Sequence, residues 1–69
     1  MSLGSNIRYL RTRQKLTMEE LGAAVGVSKQ GIMRYEQDLA KPQPVILINL
    51  AKTLCTTAED LVLRTDWDS

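Results

Sequence analysis

The chain predicts an all-α fold, five short helices packed around one core, and three observations lead there. Its 69 residues suffice for a single modest core but not for layers on both sides of a sheet. Apolar residues recur every three or four positions, and none of the chain alternates as a half-buried strand would. Start and stop residues divide it at short intervals, with no internal repeat and no low-complexity linker, so residues 1–69 read as one domain.

The first helix spans about residues 3–14. Leu3, Ile7 and Leu10 face inward at helical spacing, while Arg8, Arg11, Arg13 and Lys15 fall mostly to one side and the end. Leu16 then turns inward. Thr17 followed by Glu20 is a capping-box pattern: the hydroxyl takes a backbone N–H and the carboxylate reaches back, which starts a second helix at Met18. It runs to about Val25. Gly26 ends it in a left-handed conformation, Val27 points inward, and Ser28 caps a third helix that runs through about Gln37.

Two helices joined by about three residues cross steeply and touch near the turn, so the contact requires a small residue. Glycine inside a helix costs about 1 kcal/mol relative to alanine. Gly22, one turn before Gly26, therefore marks where the third helix packs close to the second one's backbone. Leu21, Val25, Val27, Ile32 and Tyr35 form one inward set. Pro42 prevents the third helix from continuing, and Pro44 suits the first turn of a fourth, whose core face is Leu47, Ile48, Leu50, Ala51 and Leu54. Thr57 with Asp60 marks a fifth helix, with Leu61 inward.

Composition narrows the function. Hydrophobic residues make up 43% and charged residues 25%, and the longest apolar run, "VILI", is far short of the roughly 20 residues that span a bilayer. A soluble domain with no membrane role is expected. No charged-then-apolar leader precedes a cleavage site, and a lone Cys55 cannot form an internal disulfide, so a reducing cytoplasm is the simplest compartment. With no His and one Cys, the commonest general base and the usual metal clusters are missing, and no glycine-rich phosphate loop is present. No enzymatic activity, metal or cofactor is expected. Asp66 and Asp68 flank Trp67 at the extreme C-terminus, where a preorganised carboxylate site is not expected.

The net charge of +1 conceals an asymmetry. Residues 1–41 hold seven Lys/Arg against four Asp/Glu, and the remaining 28 hold two against four. The basic end could face a polyanion, although a solvated charged surface would look the same. The outward set of the third helix, Lys29, Gln30, Met33, Arg34 and Gln37, makes a donor-rich rod of the size that enters a DNA major groove.

Residues 18–37, "MEELGAAVGVSKQGIMRYEQ", resemble the helix-turn-helix of the phage-repressor and Cro-like family, also called the xenobiotic-response-element family. The similarity extends to "LGSNIRYLRTRQKLT" before the motif and to "RYEQDLAKP", "LINLAKTL" and "TAEDLV" after it, nearly the whole chain. The resemblance implies a lambda-repressor-like bundle in which the second helix crosses the DNA backbone and the third enters the major groove. It implies base reading by Lys29, Gln30 and Arg34: Lys and Arg suit guanine O6 and N7, Gln suits adenine N6 and N7, and Met33 suits a thymine methyl.

Phosphate contacts are implied at the N-terminus of the second helix, at Thr17 and Met18, with Ser28, Gln37, Lys41 and Gln43 as further candidates. Thr17 and Ser28 are equally explained as caps. The chain departs from many relatives at Met18, where they carry a glutamine donor, and at Asp38, Leu39 and Ala40, where they carry a basic loop. Arg11 and Glu36 match a family pair that joins the first helix to the end of the third, though two unrelated surface charges would read the same. Cys55 stands where the family usually has a glycine after the fourth helix, which predicts a turn there that is either strained or differently shaped.

Val45 and Ile46 make the fourth helix apolar over more of its circumference than a monomer's surface helix requires. Either they complete a small core, or with Leu39, Leu63 and Trp67 they form a two-fold dimer interface or the seat of a further C-terminal domain. The expected function is sequence-specific binding of double-stranded DNA by a transcriptional regulator, a repressor of phage or mobile-element type acting as a homodimer on an inverted repeat. The rival readings are an antitoxin-like protein-interaction module and the DNA-targeting domain of a longer regulatory protein.

Overall fold

Five helices follow one another without strands among the described residues, 2–63 of the computed structural model: α1 (Leu3–Arg13), α2 (Met18–Val25), α3 (Lys29–Glu36), α4 (Pro44–Thr53) and α5 (Ala58–Leu63). Trp67, Asp66 and Asp68 lie outside that range. Local chemistry starts each helix. Ser2 accepts the Ser5 N–H and Ser28 the Gly31 N–H, each at 3.1 Å, and both bonds of the Thr17/Glu20 capping box form. At α4, Gln43 is the cap residue and Pro44 opens the first turn; at α5, Thr57 Oγ1 accepts the Asp60 N–H at 3.1 Å.

The first four helices end in one way. Lys15, Gly26, Asp38 and Cys55 each take a positive φ, 59°, 80°, 59° and 60°. The N–H after each reaches back to the carbonyl five residues earlier: Leu16 to Arg11, Val27 to Gly22, Leu39 to Arg34 and Thr56 to Ala51, at 2.8–3.0 Å. These are Schellman closures, which normally use glycine because a Cβ is strained in the left-handed region. Three of the four here use another residue, and Cys55 is among them, so of the two forms expected for its turn the structure shows the strained one.

Ile7, Leu10, Leu21, Val25, Ile32, Leu50, Ala51, Leu54 and Leu61 form the buried core, with contributions from all five helices. Leu3, Leu16, Val27, Tyr35 and Leu47 pack against it. The predicted face of α4 requires one correction: Ile48 is 47% exposed, whereas Ile46 packs against the core. The two flank the Leu47–Leu50–Ala51–Leu54 stripe on opposite sides, and Ile46 lies one turn before Leu50, on the covered flank. One polar side chain is fully buried in this core: Asn6 donates from Nδ2 to the Leu61 carbonyl at 2.9 Å and ties α1 to α5.

Candidate nucleic-acid interface

The turn between α2 and α3 sets the geometry of the site. A Cβ on Gly22 would collide with the Val27 carbonyl oxygen and crowd the Ser28 carbonyl carbon, so the close approach is by the turn's own backbone and not by the body of α3. Gly26 then reverses the chain and Ser28 opens α3. Ile32 is fully buried and Tyr35 half-buried, which turns Lys29, Gln30, Met33 and Arg34 outward, all exposed on one side of the helix. Gln37, the C-cap, is exposed as well.

Two ties hold the far end of α3 to α1. Arg11 Nε donates to Glu36 Oε2 at 2.5 Å and Nη2 to Oε1 at 3.2 Å, while Nη1 donates to the Leu16 carbonyl at 2.8 Å. The pair is well buried, with side-chain exposure of 11% for Arg11 and 3% for Glu36. A bidentate fork fixes direction as well as distance, which a simple charge contact does not. Two unrelated surface charges are thus excluded by position. The second tie was not foreseen: Asp38 accepts the Gly4 N–H at 3.0 Å and the Ser2 hydroxyl at 2.6 Å, so its carboxylate is committed to the start of α1.

The phosphate candidates divide. Thr17 uses its hydroxyl oxygen to accept the Glu20 N–H at 3.0 Å, and Ser28 does the same for Gly31, so both are caps first. The Met18 side chain packs against the core and has no donor; what it offers is its backbone N–H at the start of α2, where the Thr17 hydroxyl takes the Glu20 N–H. Glu19 and Glu20 stand in that same turn. Lys41 and Gln43 are exposed in the segment between α3 and α4. A concavity lined by Arg8, Arg11, Met18, Met33, Glu36 and Gln37 brings Arg8 of α1 beside α3, a neighbour the sequence alone did not assign to the site.

Of the apolar residues considered for an interface, Val45 is 66% exposed, Leu63 69% and Leu39 71%, whereas Ile46 is half-buried. Ile48 and Val62 add to the exposed set at 47% and 41%. Among the described residues no group of three or more His, Cys, Asp or Glu could hold a metal, and no helix is long and apolar enough to cross a membrane.

Comparison with known proteins bears on the same surface. The helix-turn-helix family model matches residues 7–61. An uncharacterized HTH-type transcriptional regulator of Sinorhizobium fredii, y4dJ, is 36% identical over 64 residues, 93% of this chain and 83% of that protein. The P22 c2 repressor, crystallised with synthetic operator 9T, superposes with a TM-score of 0.89 at 30% identity, over 91% of this chain and 96% of that one. The restriction-modification controller protein C.AhdI of Aeromonas hydrophila gives a TM-score of 0.80 at 25% identity, over 86% of this chain and 89% of that one. Sequence motif, fold and relatives agree, and the chain belongs to the helix-turn-helix family of sequence-specific DNA-binding transcriptional regulators.

Proposed function

We propose that the chain is a repressor of phage or mobile-element type that binds an inverted-repeat operator as a homodimer, with α3 in the major groove. The observation that carries this reading is the outward face of α3, where Lys29, Gln30, Met33 and Arg34 stand exposed on a helix whose far end is fixed by the buried Arg11–Glu36 fork. Lys29 and Arg34 read guanine, Gln30 reads adenine, and the Met33 thioether packs on a thymine methyl. The free amides at the start of α2 take a backbone phosphate, with Thr17, Ser28, Gln37, Lys41 and Gln43 around it. Repression follows from occupancy of a promoter-overlapping site in the bacterial cytoplasm. It calls on no cofactor and no catalytic group.

The chain measures 31 × 24 × 20 Å, small enough for one copy to cover one half-site, and a two-fold dimer on an inverted repeat would set its α3 helices about one helical turn, ~34 Å, apart. Exposed Leu39, Val45, Ile48, Val62 and Leu63 offer apolar surface for such a contact. The same exposure favours a second reading, an antitoxin-like module or part of a longer protein in which that surface binds a different polypeptide.

The test is selection of bound sequences from a random duplex pool at two salt concentrations, with the wild type and with Lys29, Gln30 and Arg34 replaced together by alanine. An enriched inverted repeat whose preference disappears in the triple variant is the expected result. Salt-sensitive binding without an enriched motif would reduce the site to a basic surface. Absence of binding would move the function to a protein partner.

A further inference from the structure

The first lysine of the reading helix is already engaged. Lys29 Nζ lies 3.8 Å from Glu19 Oε1, across the turn between α3 and the first turn of α2, with side-chain exposures of 56% and 75%. A pair so open to water adds little to folding. Its position matters more. Glu19 sits in the first turn of α2, where the proposed phosphate contact lies, and its partner is the cation with which α3 opens.

From this pair we infer that Glu19 is a specificity-determining residue: it neutralises Lys29 against phosphates and releases it only to a base edge. The inference rests on the DNA-binding reading above. On arbitrary DNA the ammonium of Lys29 would act as one more counter-charge, and sequence-independent affinity grows with each such charge. Held beside Glu19, it adds less there, because the carboxylate offsets part of its charge. On the right sequence, guanine O6 and N7 offer directed acceptors that a phosphate in a misregistered complex does not, and the weak, hydrated contact with Glu19 gives way. Glu19 therefore disfavours the wrong complex more than the right one, which widens the ratio between them. The Arg11–Glu36 fork takes a second cation out of the sequence-independent attraction, and the whole chain carries a formal net charge of only +1. One added positive charge at the interface is consequently a large relative change.

The experiment compares four 69-residue chains: wild type, Glu19→Gln, Lys29→Ala, and the two substitutions together. Each is titrated against the duplex selected from the random pool and against a scrambled duplex of equal length, from 50 to 200 mM salt, after circular dichroism has established that each variant is folded. Glu19→Gln is expected to steepen the salt dependence on scrambled DNA by about one phosphate contact. That corresponds to roughly 5–10-fold tighter binding near 0.1 M salt. The gain on the selected duplex is expected to be smaller, so discrimination falls several-fold, and both effects are expected to vanish in the Lys29→Ala background. Equal gains on both duplexes would overturn the inference, as would an equal gain with and without Lys29, which would make Glu19 a general repeller of phosphate. If the wild type binds and Glu19→Gln changes nothing, only this inference falls. If the wild type binds neither duplex, the DNA-binding reading falls with it.

Discussion

Removing either member of the Arg11–Glu36 pair should nearly unfold the domain, whereas removing both should not. In Arg11→Ala the Glu36 carboxylate, its side chain 3% exposed, loses two charge-assisted hydrogen bonds and has little access to water. The Leu16 carbonyl loses its guanidinium donor in the same step. Breaking a buried pair from one side costs about 3–5 kcal/mol. A 69-residue domain at the usual 0.05–0.15 kcal/mol per residue has roughly 3–10 kcal/mol in total, so a single truncation consumes much of it. Arg11→Met with Glu36→Met leaves no buried charge and keeps side-chain volume. It should fall within about 1 kcal/mol of the wild type, since well-packed apolar replacements of such pairs are often neutral. Urea unfolding of wild type, Arg11→Ala, Glu36→Ala and the double Met variant measures these differences, and Glu36→Gln keeps a folded intermediate case in the series. Single truncations costing less than about 1 kcal/mol each would refute the reasoning, as would a double Met variant no more stable than the singles. The double Met variant also isolates orientation. It should fold yet discriminate less between the selected and scrambled duplexes, because no fork fixes the end of α3.

Two backbone predictions carry opposite signs. Gly22→Ala would gain about 1 kcal/mol in an open helix. Here its Cβ meets the Val27 carbonyl, so a net loss of about 1–3 kcal/mol is expected, read as a lower thermal midpoint together with weakened DNA binding as the turn opens. Cys55→Gly should do the reverse: at φ 60° on an exposed turn, glycine relieves left-handed strain worth about 0.5–1 kcal/mol, a rise of roughly 2–8 °C in a domain this small, and an unchanged midpoint would show that the turn carries no strain.

Where each helix begins was legible, because the signals are local. Thr17 with Glu20, Ser28, Pro44, and Thr57 with Asp60 act within a turn of themselves, and the structure starts helices at each. Where the first three helices end was placed to within a residue, at Arg13, Val25 and Glu36, but the left-handed closure itself was legible only at Gly26. The same left-handed closure at Lys15 and Asp38 carries no glycine to announce it, and at Cys55 only the family pattern pointed to it. Periodicity located the middle of the α4 stripe but not its edges: whether Ile46 or Ile48 is covered depends on the neighbouring helix. Of the ties across long separations, Arg11 with Glu36 was readable through the family resemblance, and the others left no trace in the pattern. Asp38 meets Ser2 and Gly4, and Asn6 meets Leu61, through folding alone. The face of α3 was readable from spacing, but Glu19 beside Lys29 and Arg8 beside Met33 required coordinates.

These cross-ties answer a physical difficulty in α3. Eight residues are too few for a helix to be stable by itself, and α3 buries only Ile32 fully in the core. Its alignment must therefore come from its ends. At the start, Gly22 admits the Val27 backbone and Ser28 caps the first turn; at the finish, Glu36 is forked by Arg11 and Asp38 is pinned to the start of α1. The two finishing contacts both run to α1, so α1 acts as the reference against which α3 is aimed, although none of the residues proposed to read bases lies on α1. Changes that loosen these ties while leaving the domain folded, Asp38→Asn or the double Met variant, should accordingly change which sequences are bound before they change how strongly phosphate is held. A base contact tolerates little rotation of its helix, whereas a phosphate contact through a long cation tolerates more.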